Sequence, residues 1–131
     1  MEGIFPPLPT PFREDGGLEL GLLSALVEGL NGTGLAGFLA LGSNGEAVHV
    51  DEEEAERIVR TVREAAAPGM TLLAGTGRLS TRATIEATKR AAGAGADAAL
   101  VVTPFFFKGP MSADALAPHF QHVAVAPPVP G

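Results

Sequence analysis

The sequence predicts an α/β fold built on parallel strands. Three apolar runs, at residues 37–41, 71–74 and 98–102, each lead into a turn that contains Gly or Pro. The runs are continuously apolar rather than alternating, which is typical of parallel strands that are buried on both faces. They recur about every 30 residues, the length of a βαβ unit, and amphipathic segments separate them.

A short strand is also predicted near the N-terminus. Residues 4–8 read Ile-Phe-Pro-Pro-Leu, an apolar run that proline interrupts. Because proline has no backbone N–H group, we expect this strand to be short. With the three later runs it makes four predicted strands.

The first two predicted helices follow from apolar spacing and capping residues. The first helix ends near Asn31 and carries aligned apolar side chains: Leu22, Leu23, Leu26, Val27 and Leu30. Asp51 is predicted to cap the second helix, and Glu54 completes a capping box. The inner face of that helix is then Ala55, Ile58, Val59, Val62 and Ala66.

The last two helices are predicted to begin at serine caps. Ser80 is expected to cap the third helix, and the fourth begins around Ser112. The predicted inner face of the third helix is Ile85, Thr88, Ala91 and Ala92. In the fourth helix, the aligned side chains are Leu116, Phe120, Val123 and Ala124.

Composition excludes several classes of protein. The chain has 131 residues, 46% of them hydrophobic, which is enough for a packed core and excludes intrinsic disorder. A formal net charge of −6 argues against nucleic-acid binding, because a basic face is needed to neutralise phosphates. No apolar run approaches the roughly 20 residues that span a bilayer, so no membrane partner is expected. Cysteine is absent, which excludes disulfides and thiolate chemistry.

The two ends of the sequence lead to two further expectations. The N-terminus lacks the basic flank of a secretory signal and the Arg-rich stretch of a transit peptide, so a cytoplasmic location is expected. A mitochondrial location is the alternative if an N-terminal extension is missing. Residues 124–131 contain three prolines between 127 and 130, which a central strand does not tolerate. We therefore predict one domain over residues 1–123 and a proline-rich tail at 124–131.

Residues 42–46, Gly-Ser-Asn-Gly-Glu, form the most informative loop. They follow a predicted strand and precede a helix, which places them at the edge of the sheet where α/β proteins bind ligands. Two glycines let backbone N–H groups point at an anion, and Ser43 and Asn44 add side-chain donors suited to a carboxylate. A tight turn whose polar residues satisfy only backbone groups explains the pattern equally well.

Other residues that could bind a ligand or take part in catalysis give weaker evidence of function. Residues 75–77, Gly-Thr-Gly, lack the third small residue of a dinucleotide fingerprint, so nucleotide binding is not predicted. His119 and His122 lie three residues apart, but without a third ligand they make a poor metal site, and no metal is predicted. Lys89 is assigned to a helix exterior. Lys108 is assigned to a loop, where steering anions in solvent is favoured over an activated amine.

Three consecutive phenylalanines, at 105–107, follow the last predicted strand after Thr103 and Pro104. Three adjacent side chains cannot all face one core, so some are expected to line a cleft or a subunit contact. A hydrophobic cap over the end of the sheet is the alternative.

Taken together, these motifs resemble the dihydrodipicolinate synthase/N-acetylneuraminate lyase family of class I aldolases. The resemblance rests on residues 3–7 with 10–12, 42–46, 73–77 and 101–104, and extends to about residue 122. Residues 42–46 and 111–116 are most similar to the 4-hydroxy-2-oxoglutarate aldolase branch. The resemblance implies the N-terminal half of a (β/α)8 barrel, about four βα units, because a complete barrel takes about 250 residues.

The resemblance also implies roles for individual residues. Family members form a Schiff base between a lysine and pyruvate or another 2-oxo acid, and then make or break a carbon–carbon bond. Ser43 and Asn44 would hold the carboxylate of the 2-oxo acid, Ser43 would relay a proton, and Thr10 would lie near the same site. The rim would be formed by Gly42, Gly45, Thr76 and Phe106.

Essential groups of the family have no counterpart in the sequence. The Schiff-base lysine belongs to a sixth strand and the main tyrosine to a fifth, and neither region is present. A second tyrosine, which reaches over from a neighbouring subunit, is replaced by Phe106. The resemblance therefore implies the N-terminal part of an aldolase or lyase that is inactive alone.

The expected ligand is a small 2-oxo acid, such as pyruvate or an aldol derived from glyoxylate. No cofactor is expected, and the full-length family implies a homo-oligomer, usually a tetramer. Three alternatives stay open. These are membership of the 4-hydroxy-tetrahydrodipicolinate synthase branch, a non-enzymatic half-barrel binding module, and a sequence that is out of frame from Val125 onward.

Overall fold

A computed structural model describes residues 1–126, in which helices and strands alternate. In chain order the elements are α1 (Leu20–Leu30), β1 (Gly37–Ala40), α2 (Glu52–Ala65), β2 (Thr71–Gly75), α3 (Thr81–Gly93), β3 (Ala98–Leu100) and α4 (Ala113–Val125). Two short 3-10 turns, Ser43–Gly45 and Ala47–His49, lie between β1 and α2. The predicted α/β class and the alternation of its elements are confirmed.

The three strands form one parallel sheet in the order β1-β2-β3. In register, Gly37 lies opposite Thr71, and Leu73 lies opposite Ala98. Strand β3 ends at Leu100, two residues before the predicted end at Val102. It ends there because its partner β2 stops at Gly75, which lies opposite Leu100.

The N-terminal segment at residues 4–8 lies parallel to β1, as predicted, but pairs with it only through a single bridge between Pro7 and Leu39. The backbone N–H of Leu8 donates to the carbonyl of Leu39 at 2.9 Å, and the N–H of Leu39 donates to Pro6 at 3.0 Å. Because Pro6 and Pro7 lack N–H groups, no regular ladder forms. The segment nevertheless takes the position of an additional strand beside β1.

The predicted caps are present. The Asp51 side chain accepts from the backbone N–H of Glu54 at 2.8 Å, and the Glu54 carboxylate accepts from the N–H of Asp51 at 3.0 Å. Ser80 caps α3 and Ser112 caps α4 through their side-chain oxygens. Each cap satisfies an N–H group that has no partner inside its helix.

The predicted inner face of α3 needs a correction. The buried residues of this helix are Thr84, Ala87 and Ala91, whereas Ile85 is only half-buried. Apolar spacing missed Thr84 because its side chain is polar, and Ala91 is the one buried residue that the predicted face included. The hydroxyl of Thr84 is satisfied by backbone groups at residues 78 and 80, which makes its burial possible.

The predicted boundary at residue 123 falls inside α4. The helix continues to Val125, so Ala124 and Val125 belong to it rather than to the tail. Residues 127–131 of the predicted tail lie outside the described residues. In the described part, none of the helices is both long and apolar enough to cross a membrane.

The core lies between the sheet and the helices α1 and α2. Its fully buried side chains come from the strands (Phe38, Leu72) and from the helices (Leu23, Val27, Ile58, Val59, Val62). This packing fixes the strands relative to one another, and the carboxyl ends of all three strands meet at one edge of the sheet.

Candidate ligand cleft

A cleft of about 610 Å³ opens at the carboxyl ends of the strands. Its walls come from the ends of all three strands, the loops that follow them and the N-terminal segment. The residues that line it are Pro7, Leu39, Leu41, Gly42, Ser43, Asn44, Glu46, Ala47, Val48, Gly75, Gly77, Arg78, Leu100, Val102 and Phe105. Mostly apolar walls with a few polar groups are typical of a site for a small organic ligand.

The loop at residues 42–46 turns sharply into the cleft. Leu41 and Glu46, on either side of its first turn, have φ values of 59° and 52°, which are unusual for residues with a side chain. Within the turn, the N–H of Gly45 donates to Gly42 at 3.0 Å and the N–H of Glu46 donates to Ser43 at 3.1 Å. A strained backbone of this kind clusters at ligand sites, where packing holds it in place.

The side chains of Ser43 and Asn44 are exposed and line the cleft. Within residues 1–126, neither side chain makes a hydrogen bond, so their donors are free to meet a ligand. The rim positions Gly42 and Gly45 belong to the same turn, but only Gly42 reaches the cleft surface.

Thr10 lies behind this loop rather than in the cleft. Its buried hydroxyl donates to the carbonyl oxygen of Gly45 at 2.6 Å. A Cβ atom at Gly45 would lie 3.0 Å from the carbonyl oxygen of Leu8, so the segment and the loop are closely packed. The structure thus brings Thr10 close to Ser43 and Asn44, in a supporting position.

The loop after β2 contributes its glycines to the cleft but not its threonine. Gly75 and Gly77 line the cleft, whereas Thr76 is 1% exposed and its hydroxyl lies 2.8 Å from that of Thr88 in α3. Thr76, expected at the rim, does not line the cleft, and its hydroxyl contact joins β2 to α3 instead.

The three phenylalanines divide between two environments. Phe105 lines the cleft, while Phe106 is 70% exposed and packs edge-to-face on Phe107 at 5.0 Å between ring centroids. Phe106, the predicted rim residue, is not among the residues that line the cleft.

The lysines lie away from the cleft. Lys108 is exposed in the loop after β3, and Lys89 on the surface of α3 pairs with Glu86 at 3.1 Å. Neither is among the residues that line the cleft. These placements agree with those expected from the sequence.

The two histidines of α4 differ in environment. His119 is buried, with Nδ1 2.9 Å from the hydroxyl of Thr81, while His122 is exposed. Across residues 1–126, no three His, Asp or Glu side chains lie close enough together to share a metal ion.

Arg78 is a cleft residue that sequence reasoning missed. Its guanidinium pairs with the Glu52 carboxylate through two bonds, Nε to Oε1 at 2.8 Å and Nη2 to Oε2 at 3.2 Å. Nη1 donates to the carbonyl of Gly77 at 3.2 Å. Its position directly after Gly77 in a strand-end turn was the only signal in the sequence.

One ionisable group with a shifted pKa lies in a turn before α1. The backbone N–H of Gly17, 2.9 Å from the carboxylate, and the guanidinium of Arg13 hold the pKa of Asp15 below its usual range. Asp15 does not line the cleft, so this shift concerns the turn and not the site.

Parallel strands, alternating helices and a cleft at the carboxyl ends of the strands define the first half of a (β/α)8 barrel, and the cleft lies where such barrels bind ligands. The profile of the Dihydrodipicolinate synthetase family matches residues 1–130. The chain belongs to this family, and the resemblance seen in its sequence is confirmed.

Relatives from two branches of the family match the chain at similar identity. A 4-hydroxy-tetrahydrodipicolinate synthase of Synechococcus sp. (strain WH7803) is 40% identical over 119 residues, which cover 91% of this chain and 39% of that protein. A probable mitochondrial 4-hydroxy-2-oxoglutarate aldolase of Emericella nidulans is 39% identical over 134 residues, which cover 99% of this chain and 43% of that protein. The chain thus spans about two fifths of the length of these relatives.

Solved structures share the fold. A dihydrodipicolinate synthase from Acinetobacter baumannii, crystallised with pyruvate, superimposes with a TM-score of 0.88 at 36% identity. The match covers 95% of this chain and 42% of that one.

Proposed function

We propose that the chain carries the 2-oxo acid recognition half of a pyruvate-dependent class I aldolase of the 4-hydroxy-2-oxoglutarate aldolase type. Membership of the family and the similarity to a named aldolase support the reaction class. The observation that carries the proposal is the pair Ser43 and Asn44, which line the cleft with free side-chain donors on a loop anchored by Thr10.

In this proposal, Ser43 and Asn44 bind the carboxylate of the 2-oxo acid. A hydroxyl and an amide N–H both donate to a carboxylate oxygen, and the loop holds the two side chains next to each other. The apolar wall formed by Leu39, Leu100 and Val102 contacts the rest of the ligand. Ser43 also relays a proton, because its hydroxyl can both donate and accept.

In this proposal, the chain binds the 2-oxo acid but does not itself make or break the carbon–carbon bond. A class I aldolase condenses a lysine amine with the 2-oxo group, losing water, and the resulting iminium accepts the electron pair of the breaking carbon–carbon bond. Neither lysine of this chain lines the cleft. The 131 residues by themselves are therefore proposed to bind 2-oxo acids without forming the Schiff base.

Borohydride trapping tests this separation. The chain is incubated with pyruvate and borohydride, which would reduce any iminium to a stable amine, and the intact protein is weighed. A full-length family aldolase serves as the positive control. We expect no gain in mass for the chain and a single adduct for the control. An adduct on Lys89 or Lys108 would overturn the proposed separation.

The 4-hydroxy-tetrahydrodipicolinate synthase branch is the second candidate, because a relative with that name is 40% identical. The two branches share pyruvate-type recognition and differ in the partner that reacts with it. Assembly into a homo-oligomer also belongs to the proposal, because the resemblance to the family implies it.

A further inference from the structure

We propose that Arg78 is a specificity-determining residue that binds the second carboxylate of a dicarboxylic 2-oxo acid in the cleft. The inference rests on the proposed function, since it concerns the far end of the same ligand. Arg78 is the only cationic side chain among the residues that line the cleft within the described part of the chain.

The pairing of Arg78 with Glu52 leaves one edge of the guanidinium open. Nε and Nη2 form the side edge of the group, and both donate to the Glu52 carboxylate. The remaining contact, from Nη1 to the carbonyl of Gly77, uses one further N–H. Of the five guanidinium N–H groups, two are left, one on each terminal nitrogen.

Each terminal nitrogen of the guanidinium therefore keeps one N–H group that can donate to a carboxylate. These two N–H groups have no acceptor among residues 1–126. Glu52 thus holds the arginine in place through Nε and Nη2, while one N–H group on each terminal nitrogen is left to bind a carboxylate. An arginine needed only for the ion pair would not have to line the cleft.

The backbone of Arg78 is fixed as well. Its N–H donates to the hydroxyl of Thr84 at 3.0 Å, and Thr84 is fully buried. The Arg78 side chain is 23% exposed and already held, so ligand binding costs it less side-chain conformational entropy than it would cost a free surface arginine. An arginine whose backbone and guanidinium are both held by hydrogen bonds is pre-organised to receive an anion.

The position of Arg78 relative to Ser43 and Asn44 suits a ligand with two acidic ends. Arg78 follows β2, while Ser43 and Asn44 follow β1, and neighbouring strands lie about 5 Å apart. A 2-oxo acid with a short chain between two carboxylates would span these loops. Among residues 1–126, Glu46 is the one acidic residue that lines the cleft, and it is exposed, so solvent screens its repulsion.

Amide chemical-shift titrations of the 131-residue chain with pyruvate and with 2-oxoglutarate test the inference. We expect the wild-type chain to bind 2-oxoglutarate more tightly than pyruvate. Arg78→Gln should weaken 2-oxoglutarate binding by about tenfold, the usual effect of losing a charge-assisted pair, and leave pyruvate binding within about twofold. Arg78→Lys should lose most of the preference, because an ammonium group has no planar fork.

Arg82→Gln is the matched control, because Arg82 is an exposed arginine of α3 that does not line the cleft. It should leave both affinities unchanged. If Arg78→Gln keeps the wild-type ratio of the two affinities while its spectrum stays that of the folded chain, the inference is overturned and the proposed function stands. If the wild-type chain binds neither acid, the proposed function and the inference both fail.

Discussion

The hydroxyl of Thr10 donates a hydrogen bond of 2.6 Å to the carbonyl oxygen of Gly45, across 35 residues of sequence. This bond ties the N-terminal segment to the loop that holds Ser43 and Asn44. Because proline limits the pairing between the segment and β1, Thr10 adds a contact that the sheet cannot supply.

Thr10→Val should lower the free energy of unfolding by about 1–3 kcal/mol, because the nearly isosteric side chain leaves the Gly45 carbonyl without its donor. It should also weaken pyruvate binding, since the loop loses its anchor. Thr10→Ser keeps the hydroxyl and is the control. Urea denaturation followed by circular dichroism measures the stabilities of the two variants. Equal stabilities for the valine and serine variants would contradict the anchoring role.

Gly75 should not tolerate a side chain. A Cβ atom at this position would collide with the carbonyl oxygen of Leu41, where the ends of β1 and β2 approach each other. Gly75→Ala should therefore destabilise the chain by about 1–3 kcal/mol through overpacking. Gly29→Ala in α1 is the matched control, because a Cβ there meets no atom within 4 Å. That substitution should stabilise by about 1 kcal/mol through helix propensity, and thermal unfolding compares the two variants.

Arg63 should contribute more to stability than other arginines of α2. It donates to the carbonyl oxygens of Gly95 at 3.0 Å and Met70 at 3.2 Å, and it pairs with Asp97 at 2.8 Å. Arg63→Met should cost about 1.5–3 kcal/mol, the usual range for hydrogen bonds from a charged group.

The control for Arg63 is Arg60→Met, which removes an exposed pair with Glu56 and should cost about 0.5 kcal/mol or less. Chemical denaturation of the two variants side by side measures the difference. A cost for Arg60→Met as large as that for Arg63→Met would show that the three contacts add nothing.

The Asp15 carboxyl should titrate below the usual range for aspartate. The N–H of Gly17 and, after it, the charge of Arg13 favour the ionised form and lower its pKa in the folded chain. A lowered folded-state pKa gives a contribution to stability that is present above the unfolded-state pKa and is lost as the pH falls through the folded-state value. NMR detection of the carboxyl carbon measures the midpoint. Arg13→Gln should move it upward, and an unmoved midpoint would exclude Arg13 as a cause.

Local features of the fold could be predicted from the sequence. The capping box at Asp51 and Glu54 involves residues three apart, so the pattern alone contains it. The strands could be placed because their runs are continuously apolar, but the predicted burial on both faces is wrong for two of them. Strand β2 alternates between buried and half-buried residues, and Ala99 and Leu100 of β3 are exposed. The end of β3 could not be predicted, because it depends on where its partner β2 stops.

The site was predictable to a smaller extent. The loop at residues 42–46 was found because glycine and short polar residues after a strand are distinctive. The orientation of Thr76 was not foreseen, because its partner Thr88 lies on another element. The role of Arg78 depends on Glu52, 26 residues earlier, and no local pattern reports such a pair.

The amide chemical shifts of Ser43, Asn44 and Gly45 during a pyruvate titration test the proposed recognition most directly. We predict that these three resonances move most, that they saturate, and that Ser43→Ala combined with Asn44→Ala abolishes the response. Ser24→Ala in α1 should change nothing. Saturable shifts elsewhere with none in this loop, or an unchanged response in the double variant, would contradict the assignment of 2-oxo acid recognition to Ser43 and Asn44.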